Sequence, residues 1–219
     1  MNKFIKTLSF LALTGGTQQA MAVPMDFDFS GNFTNDNDIV LLDFTVATNS
    51  NVTVFSSSWD DGGFDPILAI WNSSGNLVNQ QDDGGNIGST LSDGISYDHG
   101  DWDSFYSVAL SAGVYTASIA MFDNFAAGTS LSNGFTRDGQ PNFSAGFGCS
   151  NGVFCGVLTS DDNRTSDWAF HILNVDSASQ QGGGTDGGTV PEPSTLAILG
   201  LGLAGLGMQV RRGRKATIK

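Results

Sequence analysis

The stretch Gly63-Phe64-Asp65-Pro66-Ile67-Leu68-Ala69-Ile70-Trp71-Asn72, followed by Ser73-Ser74-Gly75-Asn76-Leu77-Val78 and closing on Asp82-Asp83-Gly84-Gly85, decides the fold class. Ile67 to Trp71 is continuously apolar and too short for a helix, so it reads as a strand covered on both faces. Pro66 is tolerated at its first position because it need not donate to a ladder. Asn72-Ser73-Ser74-Gly75-Asn76 is turn chemistry, with Gly75 free to take positive φ. Leu77-Val78 then begins a return strand that the Asp82-Asp83-Gly84-Gly85 run ends, so the stretch is a β-hairpin.

Working outward, the same period of two recurs on both sides. Val40, Leu42, Phe44 and Val46 alternate with Asp43 and Thr45, and Val52 and Val54 alternate with Thr53 and Phe55. Phe27, Phe29 and Phe33 mark a first strand, and Trp168, Phe170 and Ile172 mark a last one. Val108-Ala109-Leu110 passes through Ser111-Ala112-Gly113 into Val114–Phe122, which reads as a second hairpin. Gly, Asn, Asp and Ser interrupt every run before a helix can establish. Roughly seven to nine short strands at this spacing predict an all-β, two-sheet sandwich of jelly-roll type over residues 23–178.

The ends of the chain have a different composition. Lys3 and Lys6, an apolar run through Phe10-Leu11-Ala12-Leu13, and Ala20-Met21-Ala22 come in the order of a secretory signal, so residues 1–22 are expected to be removed on export. Residues 179–190 are a Gly-rich linker with little to bury. Ser194 to Val210 carries no charge and as a helix would reach roughly 25 Å, a minimal membrane span. Arg211, Arg212, Arg214, Lys215 and Lys219 close it, which keeps that end in the cytoplasm and the preceding domain outside.

Just before the span lies Val190-Pro191-Glu192-Pro193-Ser194. Pro-Glu-Pro, a Gly/Leu/Ala-rich span and an Arg-rich tail, together residues 191–215, resemble the PEP-CTERM sorting signal of Gram-negative bacteria. The resemblance implies export, transient anchoring in the inner membrane, processing near Pro191, Glu192 and Pro193 by an exosortase-type enzyme, and display at the cell surface or in exopolysaccharide. Arg211 and Arg212 belong to the same signal. The Gly63–Gly84 hairpin, with Ala112-Gly113-Val114-Tyr115-Thr116 and Phe122-Asp123-Asn124, is in turn similar to bacterial pre-peptidase C-terminal domains. These are β-sandwich accessories without catalysis of their own.

With both ends set aside, residues 23–190 hold 21 acidic side chains, all Asp, against Arg137 and Arg164, a net charge of −19. That excludes a nucleic-acid partner, which needs clustered Lys and Arg. Solvated Asp-rich loops account for much of the charge. Asp is also the short-armed oxygen donor suited to Ca²⁺. Asp60-Asp61, Asp65, Asp82-Asp83 and Asp98-x-x-Asp101-x-Asp103 are the densest supplies. Asp65, Asp82 and Asp83 flank a single hairpin and are the expected metal ligands.

Cys149 and Cys155 in an exported chain are expected to pair as a disulfide, ahead of free thiols or a metal site. His99 and His171 read as satisfied or solvated side chains. No Gly-x-Ser-x-Gly elbow aims a nucleophile, so no enzyme is expected. Trp71 and Trp168 sit in strand patterns and read as core, whereas Trp59 and Trp102 flank Asp-rich loops. The expectation is a non-enzymatic exported surface or matrix protein, stabilised by calcium. Its rivals are a secreted polysaccharide hydrolase working through paired aspartates and a carbohydrate-binding module using Trp59 and Trp102.

Overall fold

A computed structural model describes residues 23–159 and 162–182 of the chain. The signal sequence expected over 1–22, most of the linker 179–190 and the sorting segment 191–215 with its helix 194–210 lie outside the described residues. Among the described residues no helix is long and apolar enough to cross a membrane.

The strands are β1 (Met25–Asn32), β2 (Ile39–Val46), β3 (Ser50–Ser56), β4 (Pro66–Asn72), β5 (Leu77–Asp82), β6 (Gly88–Ser92), β7 (Ile95–His99), β8 (Phe105–Leu110), β9 (Gly113–Met121), β10 (Asp167–Val175) and β11 (Ser177–Gln180). They form a four-stranded sheet in the order β1-β10-β3-β8, a five-stranded sheet in the order β11-β2-β9-β4-β5, and a separate β6-β7 ribbon. Every pairing is antiparallel. One apolar core lies between the two larger sheets. Phe27, Phe29, Val52, Val54, Phe170 and Ile172 come from one side, and Leu42, Phe44, Leu68, Ile70 and Ile119 from the other. The fold is therefore all-β and sandwich-like, because period-two alternation gives each sheet one apolar face that only the other sheet can cover.

The β4–β5 hairpin forms as the sequence predicts, with Ile67 opposite Asp82 and Ile70 opposite Asn79. Its continuous apolar run is covered twice. Leu68 and Ile70 face the core, while Trp71 meets Phe135 edge-on from the long β9–β10 connection. That connection is tied to the hairpin by backbone bonds from Leu77 to Thr129 and from Leu131 to Gly75.

The second expected hairpin is not one. β8 pairs with β3 and β9 pairs with β2 and β4, so Ser111-Ala112 carries the chain from one sheet to the other. The Val46–Ser50 turn makes the same crossing between β2 and β3. Two apolar strands joined by a tight link can bury their stripes side by side or across a core, and these do the latter. The Tyr115 hydroxyl donates to the Ser111 carbonyl at 2.9 Å and fastens the corner. β11 pairs with β2 through Gln180, so the sheet runs past the boundary at 178 expected from composition. Ser and Gln contribute backbone ladder bonds there without needing an apolar face.

Cys149 and Cys155 are joined by a disulfide, with Cα atoms 5.3 Å apart. It closes a small loop within the β9–β10 connection, beside the buried Phe154.

Candidate metal centre

The two ends of the β4–β5 hairpin bring three aspartates together. Asp65 immediately precedes β4, Asp82 is the last residue of β5, and Asp83 follows it. The turn beyond β5 is shaped by Gly84, where a Cβ would come within 2.6 Å of the Phe105 Cβ and 2.7 Å of the Phe105 backbone nitrogen. Only glycine passes that close to β8. Asp83 itself takes φ 55°, a left-handed conformation that Asp tolerates better than most residues. The chain is thus folded back sharply enough to set Asp83 beside Asp82 and Asp65.

One oxygen from each of the three carboxylates lies within 4.8 Å of the other two. Asp65 is 3 % exposed. The Oδ1 atoms of Asp65, Asp82 and Asp83 are all buried without a hydrogen-bond partner. Burial, then the charges of Asp83, Asp82 and Asp103, push the Asp65 carboxyl up to about 8 against the pull of Arg164. Burial, then Asp83 and Asp123, push Asp82 to about 6. Asp83 is raised as well, by burial and then by Asp101 and Asp103.

A buried carboxylate without donors is costly, and three together repel one another. A divalent cation answers both problems. Oxygens bound to one Ca²⁺ at ~2.4 Å lie no more than about 5 Å apart, and the observed spread falls within that limit. These three residues would hold the ion, with carbonyls and water completing its shell.

The other acidic runs do something else. Asp103 is buried and fully used: its Oδ1 accepts from the Ser56 hydroxyl at 2.9 Å and the Ser58 and Trp59 amides, and its Oδ2 accepts from the Gly100 amide at 3.0 Å. Asp60, Asp61 and Asp98 line an open cavity of about 250 Å³ with Ser57, Ser96 and Tyr97. Among the described residues, the Asp65 group is the one place where three such ligands converge.

Trp59 does not present a stacking face as the sequence suggested. It is 7 % exposed. The Arg164 guanidinium lies 3.5 Å over its ring, and Arg164 Nε donates to the Gly63 carbonyl at 2.8 Å. Trp102 packs against the same ring at 5.8 Å. Arg164, one of the two basic residues in 23–190, is held in place by this platform. Trp71 and Trp168 are buried, as expected. Neither histidine is solvated. His99 is buried with its Nε2 3.0 Å from the Thr90 hydroxyl, and His171 is buried between two polar partners.

Among curated proteins no relative matches the chain. Residues 189–212 match the PEP-CTERM protein-sorting motif, a match that takes in Pro191, Glu192, Pro193, Arg211 and Arg212. That motif is the substrate signal of exosortase-type processing, and the chain carrying it is an exported, cell-envelope-associated protein.

Proposed function

We propose that this chain is a surface or extracellular-matrix protein whose acidic sandwich, of the pre-peptidase C-terminal kind, is locked by a calcium ion at Asp65, Asp82 and Asp83. The observation that carries the reading is the convergence, at the ends of one hairpin, of three carboxylates that each hold a buried oxygen without a hydrogen-bond partner. Before processing, the apolar segment 194–210 anchors the chain in the inner membrane; afterwards the domain is released toward exopolysaccharide. The ion acts as a structural clamp that ties the entry of β4 to the exit of β5. Export favours such a clamp, because extracellular calcium is high enough to fill a site of modest affinity.

Calorimetric titration of the chelated, purified protein tests the clamp. Ca²⁺ binds with heat that varies with the ionisation enthalpy of the buffer, since protons leave Asp65 and Asp82 as the ion enters. Mg²⁺ at matched ionic strength gives a weaker response. Equal responses to the two ions, or full binding by Asp82→Ala/Asp83→Ala, would refute the site. Sorting is tested separately. With Pro191, Glu192 and Pro193 replaced by Ala, the larger species stays in the membrane fraction, and undiminished release of that variant would show that processing does not depend on the tripeptide.

A further inference from the structure

A second constellation lies on the outer face of the four-stranded sheet, under the β6–β7 ribbon, and shares no residue with the carboxylate cluster. His171 on β10 stands directly opposite Asp28 on β1 and Phe55 on β3. Its Nδ1 is 2.7 Å from Asp28 Oδ1, and its Nε2 is 2.7 Å from the hydroxyl of Ser57, just beyond β3. An ionised carboxylate only accepts, so Nδ1 carries the proton and Nε2 accepts the Ser57 hydrogen. Asp28 is held in turn by the Ser92 hydroxyl and by the Tyr97 hydroxyl at 3.3 Å. Burial would raise the Asp28 carboxyl, but these hydrogen bonds and His171 outweigh it and hold the group below its ordinary value. The His171 ring is clamped between Phe55, stacked at 4.3 Å, and Tyr97 at 4.1 Å.

Hydrogen bonding alone would make this a satisfied buried histidine. One further observation points to a ligand. His171 is 1 % exposed, but Ser57 lines an open cavity of about 430 Å³, together with Asn32, Ser58, Asp61, Tyr97 and Trp168. Ser58 and Trp168 belong to the same lining, but their Oγ and Nε1 atoms are enclosed by protein and take no part. A base-linked hydroxyl at the wall of an open cavity suits attack on a carbonyl carbon. Asp61 and Asp167 in the lining disfavour an anionic substrate, and the half-buried Tyr97 ring suits a neutral polyhydroxyl carrier.

We propose that Ser57, His171 and Asp28 form an acyl-transfer site that hydrolyses short-chain esters of neutral alcohols, such as O-acyl groups on an uncharged sugar. Ser57 Oγ attacks the ester carbonyl carbon as its proton passes to His171 Nε2, and the carbonyl oxygen takes the negative charge. The bond to the alcohol oxygen breaks, and that oxygen leaves with the proton from Nε2. Water then attacks the acyl carbon and gives a proton to Nε2. The bond to Ser57 Oγ breaks, Oγ recovers that proton, and the carboxylic acid departs. Asp28 is a positioning residue that fixes the tautomer and stabilises the imidazolium.

The test is to treat the exported chain, as purified from the cell envelope, with a fluorophosphonate and map the adduct, and to follow p-nitrophenyl acetate hydrolysis in parallel. The adduct falls on Ser57, and Ser57→Ala abolishes both label and turnover. Asp28→Asn lowers kcat by about a hundredfold or more, with KM and melting temperature little changed. If that variant fails to fold, Ser92→Ala, which removes one hydrogen bond to Asp28, lowers kcat in the same direction. Chelation leaves turnover unchanged while the protein stays folded, which separates this site from the calcium clamp. A folded protein with no adduct on Ser57, or variants at Asp28 and Ser92 that keep full kcat, would overturn the proposal.

Discussion

Asp103 and Asp65 are both almost wholly buried, at 1 % and 3 % exposed, and Asp65 feels the charge of Asp103. Their surroundings have opposite character. Asp103 accepts four hydrogen bonds and fastens the Ser56–Trp59 segment to the Gly100 turn. Asp36 does the same elsewhere, accepting from the Phe143 and Ser144 amides at 3.0 and 2.9 Å and from the Ser144 hydroxyl. Asp65, Asp82 and Asp83 face one another, each with an oxygen that has no partner. One residue type thus serves as an anion that organises backbone and, in the proposed reading, as a ligand that a cation would satisfy. What decides between them is the donors within reach, not the burial.

The largest effect expected from this contrast is at the satisfied carboxylate. Asp103→Ala strands the amides of Ser58, Trp59 and Gly100 inside the protein and costs about 3–5 kcal/mol, whether or not calcium is present. For a domain of this size that lowers Tm by roughly 6–20 °C. A shift of less than ~2 °C in thermal melting would show that water readily replaces Asp103 and would remove one side of the comparison.

Calcium comes next. At a hundredfold excess over Kd, an ion that binds only the folded state adds about 2.7 kcal/mol, or roughly 5–11 °C in Tm. The acidic surface also gains from simple screening, so ionic strength must be held fixed and Mg²⁺ used as the control. Asp82→Ala/Asp83→Ala should lose the calcium increment and leave the Asp103 network intact. Reducing the Cys149–Cys155 disulfide is a smaller perturbation, about 2 kcal/mol for so short a loop. It lies in the β9–β10 connection, so the calcium increment should survive reduction; its disappearance would mean that the connection and the hairpin ends melt as one unit.

How much of this was legible depends on sequence distance. Asp65 and Asp82 are the two ends of one local hairpin whose turn chemistry is explicit, so their approach follows from pairing neighbours. The β8–β9 link was misread because a tight turn between apolar strands is the same signal for a hairpin and for a corner between sheets. Asp28 and His171 are 143 positions apart, and Ser57 and His171 are 114 apart. They meet only because β10 lies between β1 and β3, an order that no periodicity encodes. The disulfide was legible from cysteine count and export. Burial of Trp59 beneath Arg164 was not, since that pair also spans distant segments.

The smallest expected effect is the most diagnostic, because its sign changes. Asp65 and Asp82 have folded values near 8 and 6, raised from 3.8. The folded, chelated protein therefore holds protons that the unfolded chain has released. Its stability from these groups is fully present below about pH 4 and is lost as pH rises through 6 to 8. Asp65→Asn removes the most strongly perturbed of the three and keeps its size. In chelator at pH 8 this variant should melt above wild type, by about 1 kcal/mol or roughly 2–4 °C. With calcium the order reverses, because the variant has lost a charged ligand while the wild-type site gains its ion. Melting curves at pH 5 and pH 8, each with chelator and with calcium, give the full comparison. At pH 5 in chelator, only a little above the unfolded value of 3.8, the gap between the two proteins should be much smaller than at pH 8. A variant that is less stable than wild type under all four conditions would mean that Asp65 has donors after all, and that it belongs with Asp103 and Asp36.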